Sequence, residues 1–315
     1  MNYLSIENLT KSFGDRIIFE DLTFGIDQGQ KVAIVAKNGA GKTTLLRCLY
    51  GESSIVTTEA EQIDSGRIVF RKDIRVAFMQ QNEKLSDTNT ILEEVFSHDL
   101  PELKAVKAYN YAMRINDENL IMNSFEAITE LNAWDIEARV NQILSVLKLE
   151  DTDKLVSTLS GGQQKRVALA KVLVADADFL ILDEPTNHLD LDMIEWLEEY
   201  LQKSSSTILM VTHDRYFLEV VCDNILELDD QTIYKYKGNF SYYLDKKAER
   251  QASLETTVGK AQNQFKKELE WMRRQPKARG VKQKARIEAF HDTKSVAKQR
   301  IDKDEMEIPV KMARL

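Results

Sequence analysis

The 315-residue chain has only two cysteines, Cys48 and Cys222, far apart and with no second thiol at metal-clasp or redox-pair spacing. Both read as reduced residues of a core. Histidine is nearly as scarce: His98, His188, His213 and His291 are scattered, which argues against a zinc ion held by protein ligands. Long apolar runs are missing as well. No stretch approaches the roughly 18 consecutive apolar residues that a membrane span needs, and the opening MNYLSIENLTK has no apolar core resembling a signal peptide. The expectation is a cytoplasmic protein with no membrane partner. There is also no low-complexity tract and no internal repeat. With 43% hydrophobic and 30% charged residues, the chain has material for a globular core and for more than one unit.

The formal charge of −8 conceals an asymmetry. Between Lys246 and Arg300 there are 16 Lys and Arg against 6 Asp and Glu, which leaves a balance of −18 elsewhere. Such a split points to a basic segment that meets a polyanion and an acidic body that does not.

Up to about residue 237, short β-rich runs alternate with helical stretches, the pattern of a layered α/β domain. Strands are predicted at Tyr3 to Asn8, Ile17 to Ile26, Lys31 to Ala36, Arg67 to Phe70, Arg75 to Met79, Phe179 to Asp183, Thr207 to Thr212, Asn224 to Leu228 and Thr232 to Tyr236. From Ile91 to about Leu149 no strand is convincing, and Pro101, Asn116 and Asp117 mark helix boundaries, so residues 92–133 read as a helical insertion. Beyond Tyr243, apolar residues at Leu254, Val258, Ala261, Phe265, Leu269 and Met272 recur by threes and fours. Pro276 and Gly280 interrupt this rhythm, and Ile287, Phe290, Ala297 and Ile301 resume it with Lys294 in the seam. Residues 238–303 are therefore expected to form an α-helical hairpin, tipped by RRQPKARGVKQKAR. The tail EMEIPVKMARL, in 304–315, reads as the start of a further strand and of a missing second domain.

Directly after the strand KVAIVA comes AKNGAGKTT, the segment Ala36, Lys37, Asn38, Gly39, Ala40, Gly41, Lys42, Thr43 and Thr44, and then the helical LLRCLY. A strand, a glycine-bearing loop and a helix N-terminus supply successive backbone N–H groups for phosphate oxygens. Lys42 would reach the β- and γ-phosphates and the Thr43 hydroxyl would ligate Mg²⁺. The usual motif opens with glycine where this chain has Ala36, which serves provided that its φ is negative. Downstream, FLILDEP is a buried strand ending in two carboxylates: Asp183 suits the Mg²⁺ shell, and Glu184 suits the orienting or deprotonation of a water.

Together with LSGGQQKR, TNHLD and THDR, these motifs resemble the ATPase domain of the ABC superfamily over roughly residues 1–237. The resemblance implies a P-loop NTPase fold, binding of ATP with Mg²⁺, and hydrolysis of the β–γ bond. By position, Phe13 matches an adenine-stacking aromatic, and Gln81 a glutamine that senses Mg²⁺ and γ-phosphate, with adjacent Gln80 leaving the register open by one. Ser160, Gly161, Gly162 and Gln163 match the signature that contacts ATP held by the opposite domain. Asp190 matches a dimer-contact loop, and His213 a switch histidine. One set of motifs implies a second ABC ATPase domain as partner, in a homodimer or in the rest of a longer protein.

The insertion, TNHLD and the linker resemble the ABC-F class, particularly its Uup-type branch. That implies a ribosome- and tRNA-associated translation factor whose linker approaches RNA. The tip carries Arg273, Arg274, Lys277, Arg279, Lys282, Lys284 and Arg286 without one acid, as a polyanion site requires. An ATPase acting on branched DNA would use the same tip, and a transporter subunit would leave it unexplained.

Overall fold

The computed structural model describes residues 1–53, 62–98, 100–273, 290 and 294. The chain divides into two units, Met1–Ser241 and Tyr242–Leu315.

In the first unit, alternation of apolar and polar residues draws β1 (Asn2–Phe13) and β2 (Arg16–Asp27) into an antiparallel hairpin. Its inner face carries Leu4, Ile6, Leu9, Phe19, Leu22 and Phe24, all buried. Gly14, at φ +58, makes the tight turn between Phe13 and Arg16. The strand predicted to stop at Asn8 runs on to Phe13. Asn8 takes φ +48 within a register shift between Ile6 and Leu9, so the residue that reads as a breaker is a bulge. With β4 (Ser65–Phe70) the hairpin makes a three-stranded sheet in the order β2-β1-β4.

The second sheet has the order β5-β6-β7-β3-β8-β9, built from β3 (Lys31–Ala36), β5 (Val76–Met79), β6 (Phe179–Asp183), β7 (Thr207–Val211), β8 (Asn224–Asp229) and β9 (Thr232–Lys237). All pairs are parallel except β8 with β9. The unbroken apolar runs FLILD and TILMV suit strands covered on both faces, and every residue of β6 and β7 is buried. Leu45, Leu46, Cys48 and Leu49 of α1 (Lys42–Ser53) join side chains of both sheets in one core. Each fully buried leucine contributes about 2 kcal/mol.

Between β5 and β6 the described residues form helices: α2 (Ile91–Val95), α3 (Pro101–Ile115), α4 (Glu118–Glu130), α5 (Trp134–Val146) and α6 (Gly161–Val174). Pro101 opens α3, left-handed Asn116 closes it, and the Asp117 carboxylate accepts from the Asn119 and Leu120 amides to cap α4. Trp134 packs edge-on against Tyr109 at 5.3 Å and lies 5.1 Å from Phe125, which ties three helices together. At the base, Ile91 N–H donates to Lys154 O at 2.9 Å and Val156 N–H to Asn89 O at 2.9 Å. The remaining helices of the unit are α7 (Leu191–Lys203) and α8 (Arg215–Val221). Among the described residues no helix is long and apolar enough to cross a membrane.

The helix α9 (Phe240–Arg273) carries the chain into the second unit. There the Phe265 and Phe290 rings stack at 5.3 Å, bringing a helical residue beyond the interruption back beside α9. Val258 and Phe290 are buried, but Leu254 is 47% exposed, so burial in the expected seam begins one turn later than its spacing implies. The Arg273 side chain, the other tip residues (Arg274, Lys277, Arg279, Lys282, Lys284 and Arg286) and 304–315 lie outside the described residues.

Candidate nucleotide site

Because β3, β6 and β7 are adjacent and parallel, their carboxyl ends open on the same edge of the sheet, where open α/β sheets bind ligands. A cleft of about 300 Å³ lies there. The chain leaving β3 gives it Asn38, Gly39, Gly41, Lys42, Thr43 and Thr44; β6 gives Asp183 and Glu184, and β7 gives Val211 and His213. Gln81 enters from beyond β5, and Gln80 is not part of the lining.

The loop conformation explains its residues. Gly39 and Gly41 have φ of +77 and +97, and a Cβ on Gly41 would stand 2.3 Å from Ile18 Cγ2. A side chain at 41 would be strained at that φ and would have to displace Ile18. Ala36 has no positive φ and pairs with Leu228 as the last residue of β3, so alanine replaces the usual glycine without strain. The Ala40 N–H donates to Lys37 O at 3.2 Å, and Leu45 N–H to Gly41 O at 2.8 Å as α1 begins. The Lys42 ammonium donates to Ala36 O at 2.8 Å and more distantly to Lys37 O at 3.4 Å. Burial pulls its pKa below the ordinary lysine value, against the opposing pull of the Glu184 and Asp183 charges. It is thus held by carbonyls that a phosphate can replace.

The two carboxylates differ. Asp183 is almost wholly buried, and neither of its oxygens makes a hydrogen bond of normal geometry. Burial raises its pKa, while the nearby Thr43 hydroxyl draws it back. Glu184 extends the ladder by donating its N–H to Val211 O at 2.8 Å, then turns at φ +55. For a residue with a side chain this left-handed turn costs on the order of 1 kcal/mol. Its Oε2 accepts from the His213 N–H at 3.3 Å, and Oε1 lies 3.4 Å from His213 Nε2. A buried contact between the Thr186 and Thr212 hydroxyls at 3.2 Å joins the two loops behind this pair.

Other expected residues stand elsewhere. Phe13 is 47% exposed at the hairpin turn, outside the cleft lining, with the Lys11 ammonium 5.1 Å from its ring centre. Ser160 caps α6: Gln163 N–H donates to its hydroxyl at 3.3 Å, and its own N–H donates to Gln163 Oε1 at 2.9 Å. A Cβ on Gly161 would meet nothing within 4 Å, and one on Gly162 would touch His188 at 3.5 Å. Asp190 caps α7 through the Met193 N–H at 3.1 Å and pairs with Lys148 at 2.6 Å. Sequence reading missed Arg16 and Ile18, which line the cleft from β2, Arg16 donating to Gly39 O at 3.2 Å. Their only sequence signal is proximity to Phe13.

Residues 19–187, over half of the chain, match a family model described as ABC transporter. The chain belongs to the ABC transporter family. A second model of that description, for an extension, matches residues 226–309 of this ATP-binding domain protein. The chain is 40% identical over 302 residues to a Bacillus subtilis protein named "Uncharacterized ABC transporter ATP-binding protein YfmR", covering 93% of this chain and 47% of that one. It is 35% identical over 317 residues to "Energy-dependent translational throttle protein EttA" of Mycobacterium tuberculosis, covering 97% and 55%. Against "ATP-binding protein Uup" of Escherichia coli it is 31% identical over 297 residues, covering 92% and 45%. The chain spans about half the length of these relatives. The fold is also that of a solved "ATP binding subunit of ABC transporter", at TM-score 0.56 and 22% identity, covering 75% of this chain and 90% of that one.

An ABC domain binds ATP, normally with Mg²⁺, and the cleft fits that pair. Asp183 offers two buried carboxylate oxygens that lack hydrogen bonds, beside a threonine hydroxyl, which is a donor set for a hard cation. When bound, Mg²⁺ would neutralise phosphate charge. The chain itself supplies the ammonium of Lys42, loop N–H groups, and a carboxylate–imidazole pair at the cleft edge.

Proposed function

We propose that this chain is an ATP-hydrolysing ABC-F cassette with a basic linker, acting as a soluble, cytoplasmic, ribosome-associated translation factor. The observation that carries the ATPase reading is the buried Asp183–Glu184 pair facing Lys42 in one cleft. In this reading Phe13 stacks on adenine and residues 36–44 wrap the phosphates. Thr43, Asp183 and Gln81 attend Mg²⁺, Glu184 activates a water, and His213 holds it or the γ-phosphate. Ser160 to Gln163 and Asp190 serve the face of a second ATPase domain, supplied by the rest of a longer protein or by a second copy. The assigned parts are residues 1–237 as the ATPase domain with its arm at 92–133, 238–303 as the linker hairpin, and 304–315 as the opening of another domain.

The translation reading is supported by the extension match over residues 226–309 and by a relative whose name calls it a translational throttle. Sixteen basic residues against six acidic between Lys246 and Arg300 suit RNA. Binding should then weaken with salt. If about four tip cations touch phosphate, the log-log slope is about −3, from about −0.7 per contact on single strands. Replacing Arg279, Lys282 and Lys284 with glutamine should flatten the slope for ribosomes or RNA and leave ATP affinity unchanged. A slope that survives the substitution removes the tip from the reading. Preference for branched DNA over ribosomes would replace translation with DNA work.

A further inference from the structure

Among the described residues one lysine is buried, Lys11 near the end of β1, at 5% exposure. An ammonium is tolerated in such a place only with partners. Its Nζ donates to Gln62 O at 2.5 Å, lies 3.7 Å from Asp64 Oδ1, and stands 5.1 Å from the centre of the Phe13 ring.

Asp64 is tied to the same stretch of strand. Its N–H donates to Thr10 O at 3.0 Å, and its Oδ2 accepts from the Ser12 N–H at 2.6 Å and from the Ser12 hydroxyl at 2.5 Å. Those Ser12 bonds, aided by the Lys11 charge, hold the Asp64 carboxyl below the usual carboxylate range. The segment that leads into β4 thus fixes Thr10, Lys11 and Ser12, and Phe13 is the next residue. On its other side Phe13 pairs in the hairpin register with Arg16, which lines the nucleotide cleft and donates to Gly39 O at 3.2 Å. One chain of contacts runs from Asp64 through Lys11 and Phe13 to the phosphate loop.

Phe13 ends its strand at a tight turn and is half-exposed, so little apolar packing selects its rotamer. A ring free to reorient loses that freedom each time a base stacks on it, and the ordering weakens binding. The buried ammonium changes this, because attraction between a cation and a π-face is strongest where water is excluded. It takes one face of the ring and leaves the other for a ligand.

We propose that Lys11 is a positioning residue for nucleotide binding: held by Gln62 and Asp64, it fixes the Phe13 ring as the platform on which the base stacks. This rests on the reading of Phe13 as the adenine-stacking aromatic. The ammonium is shut off from solvent, so it acts on the base through the ring and not on the phosphates. It contributes to affinity and not to the chemical step.

The test uses the full chain with Lys11→Met, Asp64→Ala, Phe13→Ala and the double variant Lys11→Met with Phe13→Ala. Affinities for Mg-ATP and for Mg-bound inorganic triphosphate, which has no base, are measured by competition with a fluorescent nucleotide, beside kcat and melting temperature. Lys11→Met fills the same space and leaves Asp64 its Ser12 donors; Asp64→Ala removes a partly exposed carboxylate and folds even where Lys11→Met does not. Phe13→Ala should weaken ATP about tenfold, the scale of one base–aromatic stack. Lys11→Met and Asp64→Ala should each weaken it about threefold, the scale of one cation–π contact. Affinity for triphosphate and kcat should stay within about twofold of the parent. In the Phe13→Ala background, Lys11→Met should cost nothing further, a non-additivity that a merely structural lysine does not show. Equal losses for ATP and triphosphate, or a Lys11→Met loss that persists without the Phe13 ring, overturn the proposal. Parental ATP affinity in Phe13→Ala removes the stacking reading itself; a loss there with parental affinity in Lys11→Met and Asp64→Ala removes only the role of Lys11.

Discussion

Two helices of this domain begin at glycine-bearing turns, and they face opposite circumstances. At the start of α1, Gly39 and Gly41 adopt positive φ, and the chain brings in Lys42, two carboxylates from β6 and a histidine from β7. At the start of α6, Ser160 and Gln163 satisfy one another's backbone groups, and the space above Gly161 is open. A helix N-terminus attracts anions in both places. Only the first is surrounded by groups that can act on a phosphate. The second has the form of a half-site, consistent with the proposed partner domain.

The most severe way to break the comparison is Glu184→Gln. The amide keeps the shape but cannot take a proton, so turnover should fall by about 10²-fold or more while nucleotide affinity holds. Single-turnover kinetics beside equilibrium binding checks both halves, and unchanged turnover would refute the assignment.

Dilution tests the other helix. If Ser160 to Gln163 must come from another domain, specific activity should rise with protein concentration until dimers saturate. A flat profile over a wide dilution series would mean that one chain completes its own site.

Smaller effects sharpen the cleft itself. Burial raises the pKa of Asp183 above its unfolded value, so its acid form favours the native state, and that contribution fades as pH rises through the raised value. Asp183→Asn keeps the neutral form at every pH. Without nucleotide it should stabilise the protein at pH 7 by about 1 kcal/mol, or about 2–4 °C in Tm. The gap should close near pH 4, and Mg²⁺-dependent nucleotide binding should be lost. A variant that melts below the parent at pH 7 would show that the buried carboxylate is compensated.

The smallest effect belongs to Ala36→Gly. Since Ala36 sits at ordinary φ, glycine there should cost under about 1 kcal/mol through the unfolded chain and leave ATP affinity alone. Tighter ATP binding would show that the alanine restrains the loop.

Much of this was legible in the sequence because local chemistry decides it. The predicted strands all occur, and apolar runs such as FLILD and TILMV, short and flanked by turn residues, suit strands covered on both faces. Pro101, Asn116 and Asp117 stand at helix ends because ring closure, left-handed backbone tolerance and a capping carboxylate are properties of single residues. Asn8 was misread because a bulge and a strand end use the same residue types, and only pairing with β2 and β4 tells them apart.

By itself, then, the sequence determined the elements, the phosphate loop with its required glycines, and the charge split along the chain. Tertiary structure alone decided what meets across long separations. It placed Arg16 and Ile18 against the loop, put Gln81 in the cleft lining, buried Asp183 without hydrogen bonds, and set Glu83 and Glu94 on one ammonium, that of Lys171. The physical reason is that propensities and motifs act over a few residues, whereas burial and charge pairing depend on strand order and packing.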